Sequence, residues 1–393
     1  MAKDILILGG ARTPMGEYGG ALRDLTANEL GAIAARAALE RTNVSPEQID
    51  HTVIGNAMQT SADAIYGARH VALRAGVPIE KPALTVNRLC GSGIQSIISG
   101  AQMIQLGEAS TVLAGGMESM SQAPHVIRGA RWGLRLGEGK LEDSLMVSLM
   151  DSYCGYYMAQ TAENLARKYD ITREEQDEFA LTSQKRAAAA WEAGRFNDEI
   201  IPVEIKGKKG VTLFERDDHL RPDTTMEGLA KLKPAFSKDG FVTAGNASGI
   251  VDGAACVVIA DEETARKTES RPLGRIVSWA VAGVPPEIMG IGPVPASQQA
   301  LAKAGLTLND IDLIEVNEAF AGQYLAVERE LGLDREKTNV NGGAIALGHP
   351  LGASGTRLVL TVLLELRRRG KKYGLATACI GGGQGIAMIV EAF

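Results

Sequence analysis

"ALERTNVSPEQIDHTVIGNAMQ" (38–59) and "ALAKAGLTLNDIDLIEVNEAFAGQ" (300–323) follow one plan. In each, an alanine-rich helical stretch ends, a Ser or Thr opens a short turn, an Ile-Asp pair closes it, and an apolar run leads to an asparagine. The correspondence continues downstream. "TVNRLCGSGIQS" (85–96) is echoed by "TNVNGGAIALGHPLGASG" (338–355), and "VLAGGMES" (112–119) by "ATACIGGGQG" (376–385). Three matches in the same order point to a duplicated unit. Local signals give its class. "DILILGG" reads as a buried strand, Thr26 with Glu29 forms a capping box, and Ser45, Pro46 and Gln48 repeat the device. Strand, helix, strand in that order predicts an α/β fold with helices layered on a sheet.

Composition narrows the field. At 393 residues the chain exceeds one ordinary core, and 45% apolar with 22% charged residues is a globular balance. A net charge of −6 argues against a nucleic-acid partner, and no apolar run reaches the ~18 residues of a membrane span. The start reads directly into a strand with no signal or transit segment, so the expectation is a cytoplasmic enzyme. The four cysteines are widely spaced with no CxxC pair, which is neither a zinc site nor a disulfide framework.

Between the copies, about 119–250, the character changes. A basic loop, "HVIRGARWGLRLGEG" (125–139), precedes a long helix opened by Thr172 and Glu175 and ended by Gly194, and "IKGKKG" makes a basic turn. This stretch reads as an excursion suited to covering a ligand.

The chemistry concentrates on the turns of the repeat. Cys90 stands where a helix should begin, so unpaired N–H groups and the helix dipole should lower its thiol pKa. Flanking Gly91 and Gly93 admit a close neighbour. His349 lies in a glycine-rich loop without P-loop or Rossmann spacing and is a candidate to deprotonate that thiol or polarise a carbonyl. Cys379 ends an apolar strand before three glycines, a position that should expose a thiol beside N–H donors suited to an oxyanion. Asn317 offers an amide to hold a water or carbonyl. Glu318 either orients that amide or is a solvated carboxylate at a helix start. Cys154 and Cys256 read as inert.

Together "ARTPMGEYGGAL", "NRLCGSG", "GGMESMS", "NASGIVDGAA", "VNEAFA", "NGGAIALGHPLGASG" and "CIGGGQG" resemble the thiolase family over nearly the whole chain. The resemblance implies duplicated βαβαβαββ halves in a five-layered α-β-α-β-α core with an inserted loop domain. The division expected is 1–118 with 250–271, 119–249, and 272–393. It also implies acyl transfer between coenzyme A thioesters. Cys90 would carry the acyl group and Cys379 would move the α-proton. His349 would activate the nucleophile with Asn317 holding a water, and the N–H groups of Cys90 and Gly381 would bind an oxyanion. Coenzyme A contacts fall on Leu149, Met158, Arg221, Phe236, Ala244, Ser248, Met289 and Phe320. No metal or tightly bound cofactor and no membrane partner is expected. Family members are dimers or tetramers, so a homo-oligomer is expected, with the 125–139 loop suggesting a tetramer. The substrate is either two acetyl-CoA or a longer 3-ketoacyl-CoA. A non-catalytic acyl-CoA binder is disfavoured by the intact Cys90, His349, Cys379 and Asn317 set. A ketoacyl or hydroxymethylglutaryl synthase is disfavoured by Cys379. One departure is Tyr157-Met158, where short-chain members usually have His-Met.

Overall fold

A computed structural model describes residues 4–208, 210–268 and 271–393. Met1–Lys3, Lys209 of the basic turn, and Glu269–Ser270 of the return segment lie outside the described residues. The elements that position the site begin with strand β1 (Ile5–Arg12), helix α1 (Ala27–Thr42), β2 (His51–Gly55), α2 (Gly67–Arg74), β3 (Ala83–Val86), α3 (Ser92–Leu106) and β4 (Thr111–Glu118). The excursion holds α4 (Met158–Lys168) and α5 (Arg173–Glu192). Next come β5 (Val251–Asp261), β6 (Gly274–Gly283), α6 (Pro293–Ala304), β7 (Leu313–Val316), α7 (Ala321–Leu331), α8 (Leu351–Arg369), β8 (Tyr373–Ile380) and β9 (Gln384–Ala392).

The duplicated phrase folds twice in the same way. α1 ends on Asn43 and α6 on Gly305, both left-handed. Each is followed by a three-residue 3-10 turn with a capping box, Ser45/Gln48 and Thr307/Asp310. Ile49 and Ile311 of the Ile-Asp pairs are fully buried. The strand that follows lies parallel to its neighbour, β2 to β3 and β4, β7 to β8.

Strands run in the order β7-β8-β9-β6-β1-β5-β4-β2-β3. The first half contributes β1-β5-β4-β2-β3. The second mirrors it with β6-β9-β8-β7, and a bridge from Ile314 to Thr338 stands where a fifth strand would be. Among the described residues the half-sheets pair through Leu6–Arg275 and Ile7–Gly274, with Leu273 N donating to the Ile7 carbonyl at 2.8 Å. All residues of β1 and β5 are buried, as expected for strands covered on both faces.

Three hydrophobic clusters give the layers. Leu8, Leu30, Val71 and Val258 pack α1 and α2 on the outer face of the first half. Ile291, Leu301, Leu325 and Ile389 cover the outer face of the second. Ile7, Ile94, Ile97, Leu358, Val362 and Met388 fill the middle, where α3 and α8 lie against each other between the sheets. Glycine makes that contact close. A Cβ on Gly93 would fall 2.4 Å from the Thr356 backbone nitrogen, and one on Gly355 would fall 2.5 Å from that of Ile94. The N-terminal ends of both helices, carrying Cys90 and His349, are thereby held together. Among the described residues no helix is long and apolar enough to cross a membrane.

Candidate active site

After β3 the chain turns sharply into α3. Leu89 sits at φ 46°, a left-handed conformation that costs a non-glycine residue about 1 kcal/mol. Asn87 Oδ1 accepts from Leu89 N at 2.9 Å and Ser92 Oγ from Arg88 N at 2.9 Å, which hold the bend. Arg88 donates to Gln95 Oε1 at 2.7 Å and, across the halves, to Gln384 Oε1 at 2.9 Å. Cys90 follows within a single 3-10 turn, Leu89–Gly91. Its own N–H and that of Gly381 act to lower the thiol pKa. The thiol is nevertheless pushed up to about 11, by burial first and then by the Glu118 charge. This corrects the expectation of a lowered pKa. Although Cys90 as a residue keeps partial exposure, burial of its thiol outweighs two N–H donors and a helix start.

Glu118, at the end of β4, is buried and accepts from Asn56 Nδ2 (2.8 Å), Met58 N (2.9 Å), Gly352 N (2.9 Å) and Ala57 N (3.1 Å). It therefore ties the turn after β2 to the start of α8. Burial lifts its carboxyl to about 7 against those four donors.

His349 precedes α8, with its N–H donating to the Gly249 carbonyl at 3.0 Å. Its ring is 5% exposed, with Nδ1 2.5 Å from Ser354 Oγ and Nε2 3.3 Å from Asn317 Nδ2. Burial, then the Arg357 charge, lowers its pKa to about 3. Both shifts favour the neutral thiol and the neutral imidazole.

Asn317 is fixed by its N–H to the Thr377 carbonyl at 2.9 Å, and its Oδ1 is buried without a partner. Glu318 is not solvated: at 1% exposure it accepts from Ser183 Oγ (2.6 Å), Asn339 Nδ2 (2.8 Å) and Ile345 N (3.2 Å). Cys379 is fully buried, correcting the exposed thiol read from the sequence. It ends an interior strand and packs with Met289, Ala319, Met158 and Phe320, and its pKa is raised by burial and then by Cys90. Of the two cysteines read as inert, Cys256 is fully buried and Cys154 keeps partial exposure.

Of these groups, Cys90 and His349 open on a cavity of about 270 Å³. Cys90, His349 and Gly381 line it together with Leu149, Met158, Phe236, Ala244, Ser248, Met289 and Phe320, and its surface is mostly apolar. Cys379 and Asn317 do not line it. Arg221 is elsewhere, in an adjoining polar cavity that shares Ala244, where it is paired with Glu17 and donates to the Asp218 carbonyl at 2.7 Å. The sequence reading passed over Glu118, Ser354, Arg88 and the ring pair Tyr157–Phe236, whose centroids are 5.9 Å apart. For Ser354 a signal was available, since it stands one helical turn beyond Pro350 in "GHPLGAS".

Residues 5–263 match the family model "Thiolase, N-terminal domain", and 270–392 match "Thiolase, C-terminal domain". The chain belongs to the thiolase family. It is 59% identical over 392 residues to the human protein named 3-ketoacyl-CoA thiolase, mitochondrial, covering 100% of this chain and 99% of that one. To an acetyl-CoA acetyltransferase of Rhizobium meliloti it is 50% identical over 388 residues, 98% of each. The crystal structure of human mitochondrial 3-ketoacyl-CoA thiolase in complex with CoA superposes with a TM-score of 0.97 at 58% identity, covering 100% of this chain and 98% of that one. The expectation of a cytoplasmic protein is corrected by these names. The human, Pongo abelii and Bos taurus thiolases it resembles are mitochondrial, which points away from the cytoplasm.

Proposed function

We propose that this thiolase cleaves 3-ketoacyl-CoA with coenzyme A, through an acyl thioester on Cys90. The observation that carries the reading is one apolar cavity lined by Cys90, His349 and Gly381, with Cys379 packed behind its wall.

The steps follow from the neutral resting pair. Cys90 Sγ attacks the 3-keto carbon as its proton passes to His349 Nε2. A buried imidazole with a pKa near 3 takes that proton only while the sulfur forms its bond. The C2–C3 bond breaks, acetyl-CoA leaves as its enolate, and Cys379 protonates C2. The enolate oxygen would sit at His349 and Asn317, whose unpartnered Oδ1 suits an ordered water. The acyl oxygen would take the N–H groups of Cys90 and Gly381, which now act on the thiol. Coenzyme A, losing its thiol proton to the site, then takes the acyl group. Exchanging one thioester for another is nearly thermoneutral, which a serine ester would not be.

Leu149, Met158, Phe236, Ala244, Ser248, Met289 and Phe320 would hold the pantetheine and acyl chain, and Arg221, released from Glu17, the nucleotide end. Residues 1–118 with 250–271 and residues 272–393 would be the two halves, and 119–249 the inserted cover. A homo-oligomer, dimeric or tetrameric, is supported by edge strand β3 with its exposed Leu84, by exposed Ile65, Tyr66 and Ile79 in the segments before it, and by exposed Trp132 and Leu136 in the basic loop. The second reading, condensation of two acetyl-CoA, is the same chemistry reversed and is favoured by the name of the Rhizobium meliloti relative. Measuring kcat/KM from acetoacetyl-CoA to 3-ketododecanoyl-CoA separates the two. Values that rise with length support the longer-chain reading, and a preference for acetoacetyl-CoA supports the other.

A further inference from the structure

The hydrogen bonds around His349 favour one role for its Nδ1. Nδ1 is 2.5 Å from Ser354 Oγ, and Oγ is 3.0 Å from the Pro350 carbonyl oxygen. A hydroxyl has one proton and a carbonyl can only accept. If the Ser354 proton goes to Pro350, the remaining lone pair of Oγ must accept from Nδ1–H. Asn317 agrees with this assignment, because its Nδ2 donates towards Nε2 at 3.3 Å. The opposite tautomer would set Nε2–H against that N–H permanently in the resting site, a clash that protonation of Nε2 during acylation meets only transiently. It would need Asn317 turned end for end, leaving a buried NH2 unpaired where now only an acceptor is.

We infer that Ser354 is a positioning residue that holds His349 as the Nδ1–H tautomer, so that Nε2 is the nitrogen that receives the Cys90 proton. The inference rests on the acyl-transfer reading for its consequence but not for its geometry. Ser354 is suited to the task. It lies in the first turn of α8, is 1% exposed, and its neighbour Gly355 is pressed against α3. Being neutral, it fixes the ring without stabilising the imidazolium as a carboxylate would, so the proton is released readily. The Pro350 carbonyl also accepts from Ala353 N at 3.0 Å and Ser354 N at 2.9 Å, so loss of the hydroxyl orphans only the imidazole.

The test is ring-nitrogen NMR of 15N-histidine-labelled protein, with His349→Asn to assign the signal, alongside single-turnover acylation. The unaltered protein should show Nδ1–H. Ser354→Ala should show Nε2–H or a mixture, with acylation slowed roughly ten- to hundred-fold and KM nearly unchanged. Ser354→Thr keeps a hydroxyl able to bond the carbonyl four residues back and should restore both. Nε2–H in the unaltered protein overturns the inference, and so does Ser354→Ala keeping both tautomer and rate. If no protein acylates while the tautomers behave as stated, the acyl-transfer reading fails and the positioning role stands.

Discussion

Replacing Glu118 by glutamine should move the reactivity of Cys90 and the turnover of the enzyme in opposite directions. A thiol at about 11 instead of 9.0 carries roughly a hundred-fold less thiolate below pH 9, equivalent to about 3 kcal/mol. Burial supplies most of this and the Glu118 charge the lesser part. One charge beside the pocket is worth about 1 kcal/mol at the effective dielectric of protein sites, so Glu118→Gln should speed iodoacetamide alkylation of Cys90 about five-fold. The gain belongs to the ionised carboxylate. With Glu118 at about 7, it should be present near pH 8.5 and absent near pH 5.5, where the unaltered protein is itself protonated there. Turnover should fall. Glutamine sets an NH2 against donors among Asn56, Ala57, Met58 and Gly352, and each orphaned N–H costs about 1–3 kcal/mol, enough to loosen the tie between the halves roughly ten-fold or more in rate. Alkylation is read by mass spectrometry of the Cys90 peptide, and turnover by loss of ketoacyl absorbance. Equal acceleration at both pH values would mean the variant merely opens the pocket. Slower alkylation near pH 8.5 would refute the electrostatic argument outright.

Two further substitutions probe other parts of the account. Gly93→Ala places a Cβ 2.4 Å from the Thr356 nitrogen, so it should cost about 3 kcal/mol of unfolding free energy in a denaturant titration; an unchanged midpoint would show that α3 and α8 are not locked there. Cys379→Ser should still acquire the acyl group on Cys90, yet lose α-proton exchange of acetyl-CoA by about a hundred-fold or more. Deuterium incorporation followed by NMR decides this, and retained exchange would remove Cys379 as the proton carrier.

The duplication was legible because its signals are local. The capping boxes at Ser45 and Thr307, the left-handed caps at Asn43 and Gly305, and the buried Ile49 and Ile311 depend on near neighbours in sequence. The cavity-lining residues Met158 and Phe236 came from the motif resemblance, since nothing in their own flanks marks them; Ser248 came from it too, with a hydroxyl in a Gly/Ala-rich turn as local support. What escaped was set by tertiary burial. Cys90 reads as a helix-start thiolate until the desolvation of its pocket is known, and Cys379 reads as exposed until β8 is seen to be interior. Glu118 stands in a quoted motif, but its four donors come from segments remote in sequence, one of them at Gly352. Arg221 came from the resemblance with its charge as support, and its pairing with Glu17 draws on the far end of the chain.

The most direct measurement is to mix the protein with a 3-ketoacyl-CoA in the absence of free coenzyme A, quench in acid, and locate the acyl mass by peptide mass spectrometry. The expected result is one acyl group on the peptide containing Cys90, released acetyl-CoA in equal amount, discharge on adding coenzyme A, and no adduct in Cys90→Ser. Acyl mass on Cys379 or any other residue, or turnover that persists in Cys90→Ser, would contradict the account.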